Sequence, residues 1–341
     1  MWIDENGKLT PIHRDDSPTE WMAACYSDRP LITQLDDGMG GGEGRSTSSA
    51  SMPTVVAMML DALDLSPGHR VLEIGTGTGY NAALLAARAG AGNVTSVEVD
   101  PAIAERAREA LRATGRVVGV VAADGGDGHA PAAPYDRVLA TAAVRRVPYA
   151  WVEQARPGGL IVTPWGTPFH NGALLRLRVH GDGTASGHFG GNVAFMWVRD
   201  QRPPPGGAVE DRVRPDHPTT DSTTDLHPFH ALSDFDASFA IGVRVPAMSS
   251  VVVFDGDDPA SGAYTAYLMD PYGPSWASWR VDPGATEFPV RRHGPRNLFG
   301  ELADAYRWWS EAGKPAHTRF GATIGPGGQT VWLDSPADPV G

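Results

Sequence analysis

Along the first two hundred residues the apolar positions switch between two periods. From Pro53, the residues Val55, Val56, Met59, Leu60 and Leu63 recur three and four apart, the spacing of one helical face. Short apolar runs at 70–74, 93–97, 117–121, 135–141 and 160–164 then predict strands. Helix-period stretches at 79–89, 101–113 and 147–155 lie between them. Strand and helix alternating at this interval predict an α/β fold with a parallel, doubly wound sheet, to which the alternating run 173–179 adds an edge strand.

Beyond residue 200 the pattern changes. The stretch QRPPPGGAVEDRVRPDHPTTDSTTD has almost no apolar periodicity, so 201–235 reads as a Pro-rich linker or loop. Strand-prone runs follow at 239–245, 250–254, 264–269 and 330–333. A single amphipathic helix, 298–311, places Phe299, Leu302, Tyr306 and Trp309 on one face and stops at Gly313 and Pro315. Residues 236–341 are therefore read as a smaller α+β extension. Residues 1–50 are turn-rich and end in GMGGGEGRSTSSA, whose glycines at 38, 40, 41, 42 and 44 predict a mobile lid, with a flexible serine run behind it. The core domain is then 51–200.

Composition narrows the function classes. With 28 basic against 40 acidic residues the net charge is −12, which argues against a phosphate-backbone partner and so against nucleic acid. Only Lys8 and Lys314 among the basic residues are lysines. The lone Cys25 excludes an intramolecular disulfide and a multi-cysteine zinc site. The opening MWIDENGKLTPIHRDD lacks a signal-peptide pattern, and no apolar run reaches the ~20 residues of a membrane span, so a soluble, cytoplasmic protein is expected. His217, His227 and His230 stand near Asp216, Asp221 and Asp225, yet nothing in the chemistry below calls for a metal, and none is expected.

The candidate chemistry lies in VLEIGTGTGY, residues 71–80, a buried strand running through a glycine turn into a helix. Gly77, Gly79 and Ala82 formally fit the G-x-G-x-x-A pattern of nicotinamide enzymes. Glu73 with Gly75, Gly77 and Gly79 fits the acid followed by G-x-G-x-G of S-adenosyl-L-methionine (AdoMet) enzymes. A carboxylate so close to the turn would repel a pyrophosphate but suits a ligand carrying an ammonium and a sulfonium. Glu98 ends the next strand, where it can accept from ribose hydroxyls, and Asp124-Gly125 follows the third, where a carboxylate can meet an adenine amino group. Tyr80 opens the helix beside them. Three acids at successive strand ends favour AdoMet over NAD.

The pieces SAS-M-P (49–53), LEIGTGTGYN (72–81), DGGDG (124–128), APYDRV (133–138), TAA (141–143) and Q-x-x-PGG-x-x-x-x-P-x-G (154–166) together resemble the protein-L-isoaspartate O-methyltransferase family. The resemblance implies a Rossmann-like class I AdoMet-dependent methyltransferase acting on an aspartyl or isoaspartyl carboxylate in a peptide or protein. It places Ser51 at the active site, with Ser49, Thr141 and Ala142 against the substrate peptide. A competing reading makes Ser51 the N-cap of the helix at Pro53. Thr54 stands where the family carries an aromatic residue or histidine, which changes the acceptor contacts at that edge. The long extension resembles members that methylate an L-aspartate in a ribosomally made peptide of the graspetide, lanthipeptide or lasso type, the ester then closing to succinimide. The alternatives are general isoaspartate repair and a non-catalytic AdoMet-binding escort protein. No general base is needed in either reaction, since a carboxyl group with a pKa of about 3.9 is already ionised at neutral pH.

Overall fold

The structure, a computed structural model, describes residues 1–5, 8–40, 42, 44–204, 208–256 and 262–340. It divides into two compact units. The first comprises Met1–Pro164, Leu174–Asp200 and Ala322–Gln329; the second comprises Trp165–Ala173, Gln201–Gly321 and Thr330–Gly341.

The first unit begins with a small sheet of four strands, β1 (Trp2–Glu5), β2 (Lys8–Pro11), β3 (Leu31–Leu35) and β4 (Ser46–Ala50), in the order β2-β1-β3-β4. Helix α1 (Pro18–Cys25) connects β2 to β3. This corrects the flexible reading of the serine run. Residues 46–50 form β4, paired antiparallel with β3, and small polar side chains suit a strand whose residues are only half-buried apart from Ser48. Of the glycine segment expected as a lid, Gly41 and Glu43 lie outside the described residues. Beside it, the Asp36 carboxylate accepts from the amides of Gly44 and Arg45.

Helix α2 (Pro53–Leu63) leads into β5 (Val71–Ile74), α3 (Tyr80–Ala89), β6 (Val94–Glu98), α4 (Pro101–Ala113), β7 (Gly119–Ala122), β8 (Tyr135–Ala140), α5 (Tyr149–Glu153), β9 (Ala155–Gly166), β10 (Asn171–Val179) and β11 (Ala185–Asn192). β5 pairs parallel with β6 and β8, β6 with β7, and β8 with β9, so the chain winds outward from β5 in both directions. The apolar face of α2 packs Met59 and Leu63 against Leu85, Val94, Leu139 and Val162 in a continuous core. Leu63 and Leu85 are fully buried, and truncating such a leucine to alanine costs about 2–5 kcal/mol.

The second unit carries α6 (Val209–Arg212), β12 (Thr220–Thr224), α7 (Pro228–Leu232), α8 (Phe235–Arg244), β13 (Ser249–Phe254), β14 (Tyr264–Met269), β15 (Trp276–Val281), β16 (Phe288–His293) and α9 (Leu298–Glu311). Its antiparallel sheet has the order β12-β16-β15-β14-β13. β17 (Phe320–Gly325) and β18 (Gly328–Leu333) belong to the long sheet, ordered β18-β17-β11-β10-β9-β8-β5-β6-β7. Ile241, Leu268, Trp279, Val290 and Leu302 anchor the core of the second unit.

Two sequence expectations change here. The run 239–245 is not a strand: Ala237 through Val243 are all buried within α8, and a helix apolar on every side loses the polar phase that marks its period. Residues 201–235 are not simply a linker, because β12 pairs with β16 and α7 packs its buried Ala231 into the core. Its sequence TDSTT hides the strand because it is an edge strand with almost every residue exposed. Pro205, Gly206 and Gly207 of this stretch lie outside the described residues. No helix among the described residues is long and apolar enough to cross a membrane.

Candidate active site

β5 ends at Ile74, and the chain turns through residues 75–79 before α3 begins at Tyr80. Gly75, Gly77 and Gly79 have φ of +92°, +53° and +80°, the left-handed region that favours glycine. Space excludes a side chain as well, since a Cβ on Gly75 would stand 2.7 Å from the Thr141 hydroxyl oxygen. That hydroxyl donates to the Gly75 carbonyl at 2.6 Å, so the end of β8 clamps the turn. On the other side, a Cβ on Gly77 would stand 3.4 Å from the Ser49 carbonyl of β4. Ser49, Gly75, Gly77 and Thr141 are thereby brought to one place. Ala142 follows Thr141, half-buried.

The acids divide by depth. Glu98 is 7% exposed, and its oxygens accept from the Gly77 amide at 2.9 Å and the Asp100 amide at 3.1 Å. A carboxylate has about four acceptor positions, so two stay open to donors such as ribose hydroxyls. Glu73 is fully buried beneath the turn, one oxygen accepting from Asn81 at 2.6 Å and the other from Ser96 at 2.5 Å. Burial pushes its pKa up to about 7; the Ser96 and Asn81 bonds pull it down and the Glu98 charge adds to the rise. Ser96 also pairs with the Thr76 hydroxyl at 2.7 Å, so Glu73 reaches the turn through Ser96. Asp124 is exposed after β7 and accepts from the Gly126 amide at 2.8 Å. Gly125 is held from two sides: Trp151 donates to its carbonyl at 2.8 Å, and a Cβ there would meet the Ile74 side chain. The side chain of Tyr80 is half exposed at the start of α3.

Ser51 is half-buried between β4 and α2. The capping alternative gives way, because the N-cap position of α2 falls on Met52, and Asp28 accepts from the Thr54 amide and hydroxyl at 2.9 and 2.6 Å. Thr54 is thus occupied in holding the helix start. Several further residues shape the site. Asn81 and Ser96 hold Glu73; Trp151 and Gln154 brace the 124–128 loop, Gln154 accepting from the His129 amide and donating to the Asp127 carbonyl. Asn81 closes LEIGTGTGYN and Gln154 opens Q-x-x-PGG, whereas Ser96 and Trp151 become visible only when elements distant in sequence are brought together in space. His217 stacks on His293 and Trp276, while His227 caps α7, and no cluster able to hold a metal occurs among the described residues.

A glycine turn that a Cβ would fill, with a partly open carboxylate at the next strand end, fits AdoMet, and fold and site together define a class I AdoMet-dependent methyltransferase. The sequence model described as Protein-L-isoaspartate(D-aspartate) O-methyltransferase (PCMT) matches residues 8–202, and the chain belongs to that family. A protein-L-isoaspartate O-methyltransferase of Ignicoccus hospitalis is 43% identical over 149 residues, covering 43% of this chain and 65% of that protein. One from Methanopyrus kandleri is 40% identical over 182 residues, covering 52% of this chain and 75% of that protein. A solved protein-L-isoaspartate O-methyltransferase shares the fold with a TM-score of 0.52 at 21% identity, covering 92% of this chain and 89% of that one. The fold likeness therefore reaches well beyond residue 202.

Proposed function

We propose that this chain methylates the side-chain carboxylate of an L-isoaspartyl residue in a peptide or protein. Family membership and the named relatives support the reaction class. The observation that carries the reading is the glycine turn held between Thr141 and the Ser49 carbonyl, with Glu98 beside it. AdoMet supplies an electrophilic methyl group on a sulfonium, which the ionised acceptor takes without a general base. The work left to the protein is alignment and exclusion of water. To Ser51, just past the end of β4, we assign the hydrogen bond that orients the acceptor, and to Thr141 and Ala142 a place against its backbone.

The second reading, methylation of an L-aspartate in one ribosomally made peptide, rests on the long extension, the serine-rich entry segment and the Arg-rich composition. Family membership and the curated relatives favour the first reading. The test is incubation with AdoMet and matched peptides carrying L-isoaspartate or L-aspartate, followed by mass spectrometry. Gain of one methylene on the isoaspartyl peptide alone, with later loss of methanol to a succinimide, is the expected result. Methylation confined to aspartate would favour the second reading. AdoMet binding with no transfer to either would make the chain an escort protein.

A further inference from the structure

β3 and β4 do not pair regularly. Ile32 pairs with Ser49, Gln34 with Ser48 and Leu35 with Ser46, so the register shifts on both sides of Gln34. Such an irregularity re-aims a side chain out of the pleat. Gln34 is 8% exposed, and both ends of its amide are bonded. Its Nε2 donates to Asp100 Oδ2 at 2.8 Å, and its Oε1 accepts from the Thr47 hydroxyl of β4 at 2.9 Å. The Thr47 oxygen accepts in turn from the Asp37 amide at 3.0 Å. Gly38, at φ +80°, leaves room for the amide, since a Cβ there would stand 3.0 Å from Nε2. Beyond Asp100 the chain of bonds continues through its amide to Glu98, and from Glu98 to the Gly77 amide. A neutral side chain thus joins the serine strand to the carboxylate beside the cofactor turn, by a route separate from the Ser49–Gly77 approach.

From this connection we infer that Gln34 is a positioning residue that transmits occupancy of the Glu98 site to β4, and through β4 to Ser51. The inference rests on the methyltransferase reading only for its kinetic arm. Donors arriving at the open positions of Glu98 fix the carboxylate that the Asp100 amide also holds and so tighten the Asp100–Gln34–Thr47 link; β4 responds only while Gln34 is intact. A glutamine suits this place because Asp100 is acceptor-only and the Thr47 hydroxyl is a donor, so one amide satisfies both. Glutamate would set two carboxylates against each other.

The test is hydrogen exchange of residues 46–50 with and without S-adenosylhomocysteine, in the full chain and in Gln34→Ala and Gln34→Glu, with affinity measured by calorimetry. In the unaltered chain the ligand should slow exchange of this segment at least fivefold. Both variants should lose that protection while S-adenosylhomocysteine affinity changes less than about threefold. With an active acceptor peptide, kcat should fall about tenfold with the KM for AdoMet nearly unchanged, a split that a general loss of structure would not produce. Thr47→Val breaks the same link at its far end and should act likewise should a Gln34 variant fold poorly. Protection that persists in the variants, its absence in the unaltered chain, or affinity lost along with protection would each overturn the inference. Failure of all peptides to accept a methyl group would overturn the proposed function and leave the exchange result standing.

Discussion

Beneath the glycine turn of the first unit a carboxylate, Glu73, is buried with both oxygens bonded; in the second unit an imidazole, His170, is buried with Nδ1 against Ser238 at 2.9 Å and Nε2 without a partner. Around His170 stand Phe235 and Phe239 at ring distances of 4.6 and 5.6 Å, with His317 and Asp236 paired beside them. Burial drives both titrations toward the neutral form, up to about 7 for Glu73 and down to about 4 for His170, where the neighbouring His317 adds to the shift and Asp236 opposes it. The surroundings differ in purpose. Every bond to Glu73 comes from the turn-bearing helix or the neighbouring strand, so its burial shapes a ligand site. His170 sits among aromatic rings and shapes only its own core.

The largest effect should come from separating the two acids of the first unit. Glu98→Ala removes the carboxylate of the pair that is not completely buried, losing two charge-assisted bonds to the ligand worth about 1.5–3 kcal/mol each. AdoMet affinity by calorimetry should drop on the order of a thousandfold. Glu73→Gln keeps an acceptor for Asn81 and a donor for Ser96, so affinity should stay within about threefold of the unaltered chain. Equal losses in the two variants would place Glu73 on the ligand and remove the distinction by depth.

Next in size are the pH dependences, which should have opposite signs in the two units. Between pH 4.5 and about 7 the folded first unit holds a proton on Glu73 that the unfolded chain releases, so its stability falls as pH rises through that window, by about 3 kcal/mol in all. Between about pH 4 and 6.5 the unfolded second unit binds a proton at position 170 that the folded unit excludes. Its stability therefore falls as pH drops through that window, again by about 3 kcal/mol. Urea titrations read peptide by peptide with pulse labelling would follow the units separately. Glu73→Gln should flatten the first curve and His170→Gln the second. A common slope in both units, or slopes that survive these substitutions, would show that other groups govern the titration.

The contrast between units also explains what could be read from residues alone. In the first unit the parallel strands β5, β6 and β8 are largely buried and α4 is amphipathic, so 101–113 is found as Pro101–Ala113, and the turn at 75–79 is marked by glycines at positive φ. The acids Glu98 and Asp124 are legible because one ends a strand and the other follows one. Ser96 and Trp151 are not, since their roles depend on which element lies beside which. In the second unit α9 was legible from its one-sided face, whereas α8 lost its polar phase to complete burial and β12 its apolar phase to exposure. β4 failed for a related reason: serines signal a loop, and only pairing with β3 makes them a strand.

The smallest effect compares two helix caps. Asp100 starts α4, accepting from the amides of Ala102 and Ile103, and also receives the Gln34 bond; Asp234 starts α8, accepting from the Ala237 amide. Asp234→Ala removes a cap alone and should cost about 1 kcal/mol in the second unit, with S-adenosylhomocysteine affinity unchanged. Asp100→Ala removes a cap and a buried amide's acceptor together and should cost about 2 kcal/mol in the first unit. It should also weaken the ligand, because the Asp100 amide is one of the two that fix Glu98 and its position depends on the cap. Urea titrations and calorimetry on the two variants measure both quantities. Were Asp100→Ala to cost no more than Asp234→Ala and leave affinity untouched, the cap in the first unit would be no more tied to the site than its counterpart in the second.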